Sequence, residues 1–154
     1  MSSNVVCYRG VGRHDSDQAS RARRHSCHLF DHLAWTEDRR SFIENSVRSG
    51  SVYVAILNGE VVGYTVLQYT FYSQGFIAML YVHPDHRRKG IGSELVRYVE
   101  SVCRTEKLFT STNESNRPTQ GLMAKLGYVP SGVINNLEEG DPELVYFKKL
   151  EKDR

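Results

Sequence analysis

The sequence predicts one mixed α/β domain, and three observations carry that prediction. An apolar run from Phe76 to Val82 leads through a basic, glycine-bearing turn, His83 to Gly92, into a stretch where Ile91, Leu95, Tyr98, Val99 and Val102 recur at helical spacing. Two more apolar runs, Val52 to Leu57 and Val61 to Tyr69, flank Asn58 and Gly59, the strongest two-residue hairpin signal. After residue 102 come a strand-like pattern, a helix-like one and two further strand-like ones. A chain of 154 residues suits a single domain. At that size folding buries about 70% of the unfolded surface, so neither a metal nor a disulfide is needed for stability.

The elements follow in order. Val5 to Tyr8 reads as a short strand, followed by a polar loop in which Gly10 and Gly12 permit turns. Residues 17 to 32 read as a helix, with Ala19, Ala22, Leu29 and Phe30 apolar among charges. Leu33 to Trp35 breaks that pattern. A second helix, with Phe42, Ile43 and Val47 inward, runs to Ser49 and stops at Gly50. The second hairpin strand continues toward Phe71, turns at Ser73, Gln74 and Gly75, and meets the Phe76 to Val82 strand antiparallel. Lys107 to Thr112 is a strand, and Pro118 to Leu126 a helix with proline in its first turn and Gly127 as its C-terminal cap. Tyr128 to Ile134 and Leu144 to Leu150 close the chain as strands around an acidic loop with Glu138, Glu139, Asp141 and Glu143.

Composition narrows the function. A net charge of +2 is too small to make nucleic acid the main partner, although Arg21, Arg23, Arg24 and Arg87, Arg88, Lys89 form local basic clusters. No apolar run approaches the roughly 18 residues of a membrane helix, so a cytoplasmic protein with no membrane association is expected. Cys7, Cys27 and Cys103 have no paired spacing, which fits reduced thiols acting as small hydrophobes. His25, His28 and His32 share one face of the expected first helix. With no fourth ligand at a recognised spacing, no metal is expected there.

The turn from Arg87 to Gly92 is physically an anion-binding device. Free N–H groups at a helix N-terminus and the helix dipole favour negative charge, and Gly90 and Gly92 remove the Cβ atoms that would hold a phosphate away. The segment from Val82 to Gly92 resembles motif A of the GNAT N-acetyltransferase superfamily, matched by Arg87, Gly90 and Gly92. Asn116 to Tyr128 resembles motif B, in which an asparagine precedes a helix and a glycine-aromatic pair, here Gly127 and Tyr128, follows it.

The resemblance implies a GNAT-like fold over residues 1 to 154: a central, mostly antiparallel seven-stranded sheet with helices on both faces. It implies acetyl-CoA as cosubstrate, held by Leu80, Tyr81, Val82, Arg87, Arg88, Lys89, Gly90, Ile91, Gly92, Ser93, Asn116 and Met123. A backbone N–H near Tyr81 or Val82, where strand pairing is interrupted, would polarise the thioester. A primary amine, small or peptidic, would then attack it directly. Met123 stands where relatives often carry a tyrosine acid, and apolar Ala78 near where many carry a glutamate. The base or acceptor contacts are therefore sought among Asp31, His32, Glu37, Tyr72 and the acidic loop, with a water chain an equal alternative. Two other readings stay open: a CoA-binding sensor without activity, and a nucleic-acid-binding module using the two basic clusters. A homodimer is also left open.

Overall fold

The computed structural model describes the backbone of Val6–Arg9 and residues 36–152. The described strands are β1 (Val6–Arg9), β2 (Val52–Leu57), β3 (Glu60–Phe71), β4 (Gln74–Val82), β5 (Lys107–Asn113), β6 (Val129–Ile134) and β7 (Glu143–Lys149). The described helices are α1 (Glu37–Arg48), α2 (Ile91–Val102) and α3 (Arg117–Lys125), with a 3₁₀ turn at Pro84–His86. The strands form one seven-stranded sheet in the order β1-β2-β3-β4-β5-β7-β6. The β1–β2, β2–β3, β5–β7 and β6–β7 ladders are antiparallel and the β4–β5 ladder is parallel, as the mostly antiparallel sheet requires. The expected helix at 17–32 lies outside the described residues. No helix among the described residues is long and apolar enough to cross a membrane.

The chain forms two compact units, divided within β3, β4 and α2. In the first, Thr36 caps α1 by accepting the Arg39 N–H at 3.3 Å, with Glu37 and Asp38 in the first turn where the helix dipole favours acids. Asn58 and Gly59 both have positive φ, 52° and 81°, the geometry of a type I′ turn, so the hairpin forms where the sequence places it. Register shifts between Ala55 and Ile56, leaving Val62 as the extra residue of a bulge. Ala55, Val62, Ile91 and Leu95 form a buried cluster against which Leu57, Leu80 and Val82 pack. That cluster fixes the start of α2 to the sheet.

In the second unit β5 alternates cleanly, with Leu108, Thr110 and Thr112 buried. Phe109 pairs across the sheet with Phe76 and Phe147. Helix α3 ends in a Schellman motif: Tyr128 N–H donates to Met123 O at 3.0 Å and Gly127 N–H to Ala124 O at 3.1 Å, with Gly127 at φ 84°. The expected cap is there, and Tyr128 closes it rather than opening β6.

The turn between β3 and β4 differs from expectation. The β3–β4 turn is Tyr72–Ser73, at φ 50° and 60°, and β4 begins at Gln74. Gly75, read as a turn residue, is instead a strand residue under close approach. A Cβ there would lie 2.5 Å from Cys103 Sγ, so the glycine serves packing.

Candidate functional site

The site is built on the end of β4 in the first unit. His83 N–H donates to Val62 O at 2.8 Å, and Met79 O accepts from Thr65 Oγ1 at 2.8 Å, so the main chain of both residues addresses β3. Strand alternation then turns the N–H groups of Leu80 and Val82 away from β3. The Val82 carbonyl agrees, since it accepts from Arg87 Nε at 3.0 Å. The parallel β4–β5 register covers only Gly75–Ile77 against Leu108–Thr110, while β4 continues to Val82. The pairing of β4 with β5 stops at Ile77, ahead of Tyr81 and Val82, where the interruption is expected.

Beyond β4 the chain tightens into the 3₁₀ turn, which the sequence pattern did not reveal. His83 Nδ1 accepts the Asp85 N–H at 3.2 Å, while His86 N–H and Arg87 N–H donate to His83 O and Pro84 O. Arg88 and Gly90 then take left-handed conformations, φ 60° and 81°. Gly90 O accepts from Glu94 N at 3.0 Å, which makes Gly90 the residue that opens α2. Among the described residues, no main-chain N–H from Arg88 to Ser93 donates to another group of the chain. The first turn of any α-helix leaves such donors over, and here the left-handed residues extend the row backwards. Ile91 and Ser93 are buried and anchor the turn, whereas Arg88 and Lys89 are exposed. A Cβ on Gly90 would meet nothing within 4 Å, so the space above its backbone is open. The arrangement is suited to receive a polyanion.

A glycine not singled out from the sequence supports this end of β4. A Cβ on Gly63 would lie 2.7 Å from Tyr81 O, 3.3 Å from Leu95 Cδ1 and 3.4 Å from Val82 Cα. The available signal was a glycine inside a strand pattern, which often marks close backbone approach.

Tyr81 packs its ring 5.6 Å from that of Tyr64, and the Arg87 guanidinium stands 5.9 Å from the centre of the Tyr81 ring. The Tyr64 hydroxyl donates to Met79 Sδ at 3.0 Å, and burial pushes its pKa up to about 12, with the Arg39 charge opposing the rise. Tyr64 is therefore a neutral hydrogen-bond donor at ordinary pH. Ala78 is half-buried and offers no titratable group.

The remaining candidates fall as follows. Glu37 is exposed in the first turn of α1. Tyr72 is 85% exposed at the β3–β4 turn, its ring edge-on to Phe71. Asp31, His25, His28 and His32 lie outside the described residues. In the second unit Asn116 caps α3, its Oδ1 accepting the Thr119 N–H at 3.3 Å, which leaves the side-chain NH₂ available. Met123 is 1% exposed and belongs to the core. Two acids of the β6–β7 loop are engaged locally, Glu138 with Asn113 and Asp141 with Ser115.

Comparison with known proteins adds an independent line. Residues 14–128 match the family model described as acetyltransferase (GNAT) family. A Bacillus subtilis (strain 168) protein, provisionally named a ribosomal protein bS18-alanine N-acetyltransferase, is 25% identical over 120 residues, covering 73% of this chain and 78% of that one. The crystal structure of a GNAT family acetyltransferase from Bacillus cereus ATCC 10987 superposes with a TM-score of 0.78 at 26% identity, covering 96% of this chain and 99% of its own. A Salmonella typhimurium structure, provisionally assigned as an acetyltransferase and solved with its cofactor acetyl-CoA, gives a TM-score of 0.65 at 19% identity, over 97% and 95% of the two chains.

Proposed function

The chain belongs to the acetyltransferase (GNAT) family and is an N-acetyltransferase that uses acetyl-CoA; from that premise we propose that it transfers the acetyl group directly to a primary amine, small or peptidic. The observation that carries the site assignment is the row of unengaged main-chain amides from Arg88 to Ser93 at the mouth of α2. In this reading those amides hold the diphosphate of CoA, with Arg88 and Lys89 adding charge. Arg87, tied to Val82 O, links the turn to β4. The outward N–H of Leu80 or Val82, beside Tyr81, receives the thioester oxygen as it gains negative charge. Asn116 directs its NH₂ to a carbonyl of the pantetheine arm. Met123 is left out of this assignment, because its side chain is buried and a thioether carries no proton to give.

The amine forms the new C–N bond as the C–S bond breaks, the CoA thiolate departs, and the surplus proton on the nitrogen passes to water and, through it, to the thiolate. A thiol pKa of about 8.5 makes that departure workable without a dedicated acid. The amine must arrive neutral. An alkyl ammonium of pKa about 10.4 is neutral in less than ~0.1% of molecules at pH 7, whereas an α-amino group of pKa about 7.7–8.0 is neutral far more often. With no titratable group at Ala78, an α-amino group such as a peptide N-terminus is the acceptor this chemistry favours. The likeness to the Bacillus subtilis protein, whose name specifies an alanine of a ribosomal protein, supports testing such peptides first.

Thiol release from acetyl-CoA, measured over a panel of N-terminal peptides, amino acids, polyamines and antibiotics, tests the reading. Turnover with a peptide amine is expected, together with loss of at least about tenfold in CoA affinity in Gly90→Val with the fold retained. Unchanged CoA affinity in Gly90→Val would contradict the diphosphate site. Turnover confined to alkyl amines such as polyamines would contradict the preference for an α-amino acceptor.

A further inference from the structure

The acidic loop between β6 and β7 braces the turn that carries Asn116. Asp141 receives two hydrogen bonds from Ser115, the backbone N–H to Oδ1 at 2.9 Å and the hydroxyl to Oδ2 at 2.6 Å. Glu114 N–H donates to Pro142 O at 2.9 Å, and Asn113 Nδ2 to Glu138 Oε2 at 2.8 Å. From the other side Gln120 Nε2 donates to Asn113 O at 3.2 Å and Glu114 O at 2.6 Å. Asn116 N–H closes the turn on Asn113 O at 3.0 Å. Residues 113–116 are therefore held from two sides. The fastening with an ionised acceptor and two-point geometry is the Asp141–Ser115 pair, the kind of hydrogen bond that is shorter and stronger than a neutral one.

We propose that Asp141 is a positioning residue for acetyl-CoA binding, acting through Ser115 to fix the direction in which Asn116 presents its NH₂ group. The inference rests on the reading of Asn116 as a contact of the pantetheine arm. It gives the acid a task other than serving as the base or an acceptor contact. Ser115 immediately precedes the cap residue, and Asp141 holds both its N–H and its hydroxyl, so a shift of the Ser115 Cα is passed to Asn116 through the single peptide plane between them. Release of Asp141 leaves the cap bond to Thr119 and the Asn116 N–H bond to Asn113 O in place but loosens the Ser115 end of the turn, so the direction in which the Asn116 side chain leaves the backbone is held less tightly.

The test uses the full-length protein, with CoA and adenosine 3′,5′-bisphosphate as calorimetric ligands and acetyl-CoA as the kinetic substrate. The bisphosphate is the nucleotide portion of CoA and lacks the arm. In Asp141→Ala, KM for acetyl-CoA and Kd for CoA should rise about tenfold, the size of one lost charge-assisted hydrogen bond, with kcat within about twofold. Affinity for the bisphosphate should not change. Asp141→Asn, which keeps one acceptor oxygen, should fall between, and Ser115→Ala should lose part of the effect without touching a charge. Added to Asn116→Ala, the Asp141 substitution should cost nothing further.

Equal loss for CoA and the bisphosphate would mean general disorder and would overturn the inference, as would additivity with Asn116→Ala. Loss in Asn116→Ala with none in Asp141→Ala would overturn the Asp141 role alone. No loss in Asn116→Ala would overturn the arm assignment and this inference with it. If Asp141→Ala does not fold, Ser115→Ala carries the same readouts.

Discussion

Gly63 shows how a single absent side chain can shape a catalytic strand. Its hypothetical Cβ would fall 2.7 Å from the backbone oxygen of Tyr81, a contact that only movement of β4 can relieve. Gly63→Ala should therefore shift Val82 and its N–H away from Arg87 and the thioester position, and destabilise the fold by about 1–3 kcal/mol, the usual cost of overpacking. Thermal unfolding and kcat measured together check it: both should fall, while CoA affinity, set by the turn downstream, falls less. Gly90 presents the opposite case. Its Cβ would have open space, so Gly90→Ala costs only the left-handed strain, about 1 kcal/mol, and acts mainly on the ligand. Comparing the two variants separates a glycine kept for the protein's own backbone from one kept for a bound group.

At the scale of elements, the β3–β4 hairpin is the informative one. Tyr72 and Ser73 both hold positive φ, where ordinary side chains are strained, and Tyr72 is exposed. Replacing the pair by Asn-Gly, the preferred residues of a type I′ turn, should raise stability by about 0.5–1 kcal/mol in chemical denaturation. The same variant removes the Tyr72 phenol. Unchanged KM for the amine would take Tyr72 out of the acceptor contacts, and a raised KM would place it among them. Helix α2 makes the complementary point. Leu95 and Val99 are fully buried beneath it, so truncating Leu95 to Ala should cost about 2–5 kcal/mol and loosen the turn that α2 anchors.

For the molecule as a whole, alkaline pH is the condition most directly tied to buried chemistry. Tyr64 loses its proton near pH 10.0 in the unfolded chain but only near about 12 in the folded one, because burial disfavours the phenolate. The native state therefore binds the proton more tightly. The stability this represents is complete below pH 10 and is lost as pH rises toward 12, by up to about 1.4 kcal/mol per pH unit. Tyr128 is shifted in the same direction, first by burial and then by the neighbouring Glu100 carboxylate. Melting temperatures from pH 9 to 12 should decline, and Tyr64→Phe should flatten part of that decline. A stable Tm through pH 12 would contradict the burial account.

How much of this was legible in the chain follows from sequence distance. The Asn58–Gly59 hairpin, the Gly127 cap and the glycines of the α2 mouth are local devices, each fixed by residues within a few positions, and pattern reading finds them. The Tyr72–Ser73 turn escaped it because neither residue is a usual left-handed one and Gly75 nearby drew the turn onto itself. The contacts of Gly63 with Tyr81 and of Asp141 with Ser115 join residues far apart in sequence, so no local spacing announces them. The base that would accept the amine's proton belongs to the same class. It depends on which side chains the fold brings together, and Ala78 withholds the one position where a local motif would have supplied it.

The central claim is that the main-chain amides at the mouth of α2 hold the diphosphate while the end of β4 receives the thioester. Amide-resolved NMR of the uniformly ¹⁵N-labelled protein titrated with CoA and then acetyl-CoA tests it most directly. The account predicts large shifts at Arg88 to Ser93 with CoA, and a further shift at Leu80 or Val82 only when the acetyl group is present. Saturable CoA binding with the Arg88 to Ser93 amides unmoved would contradict it.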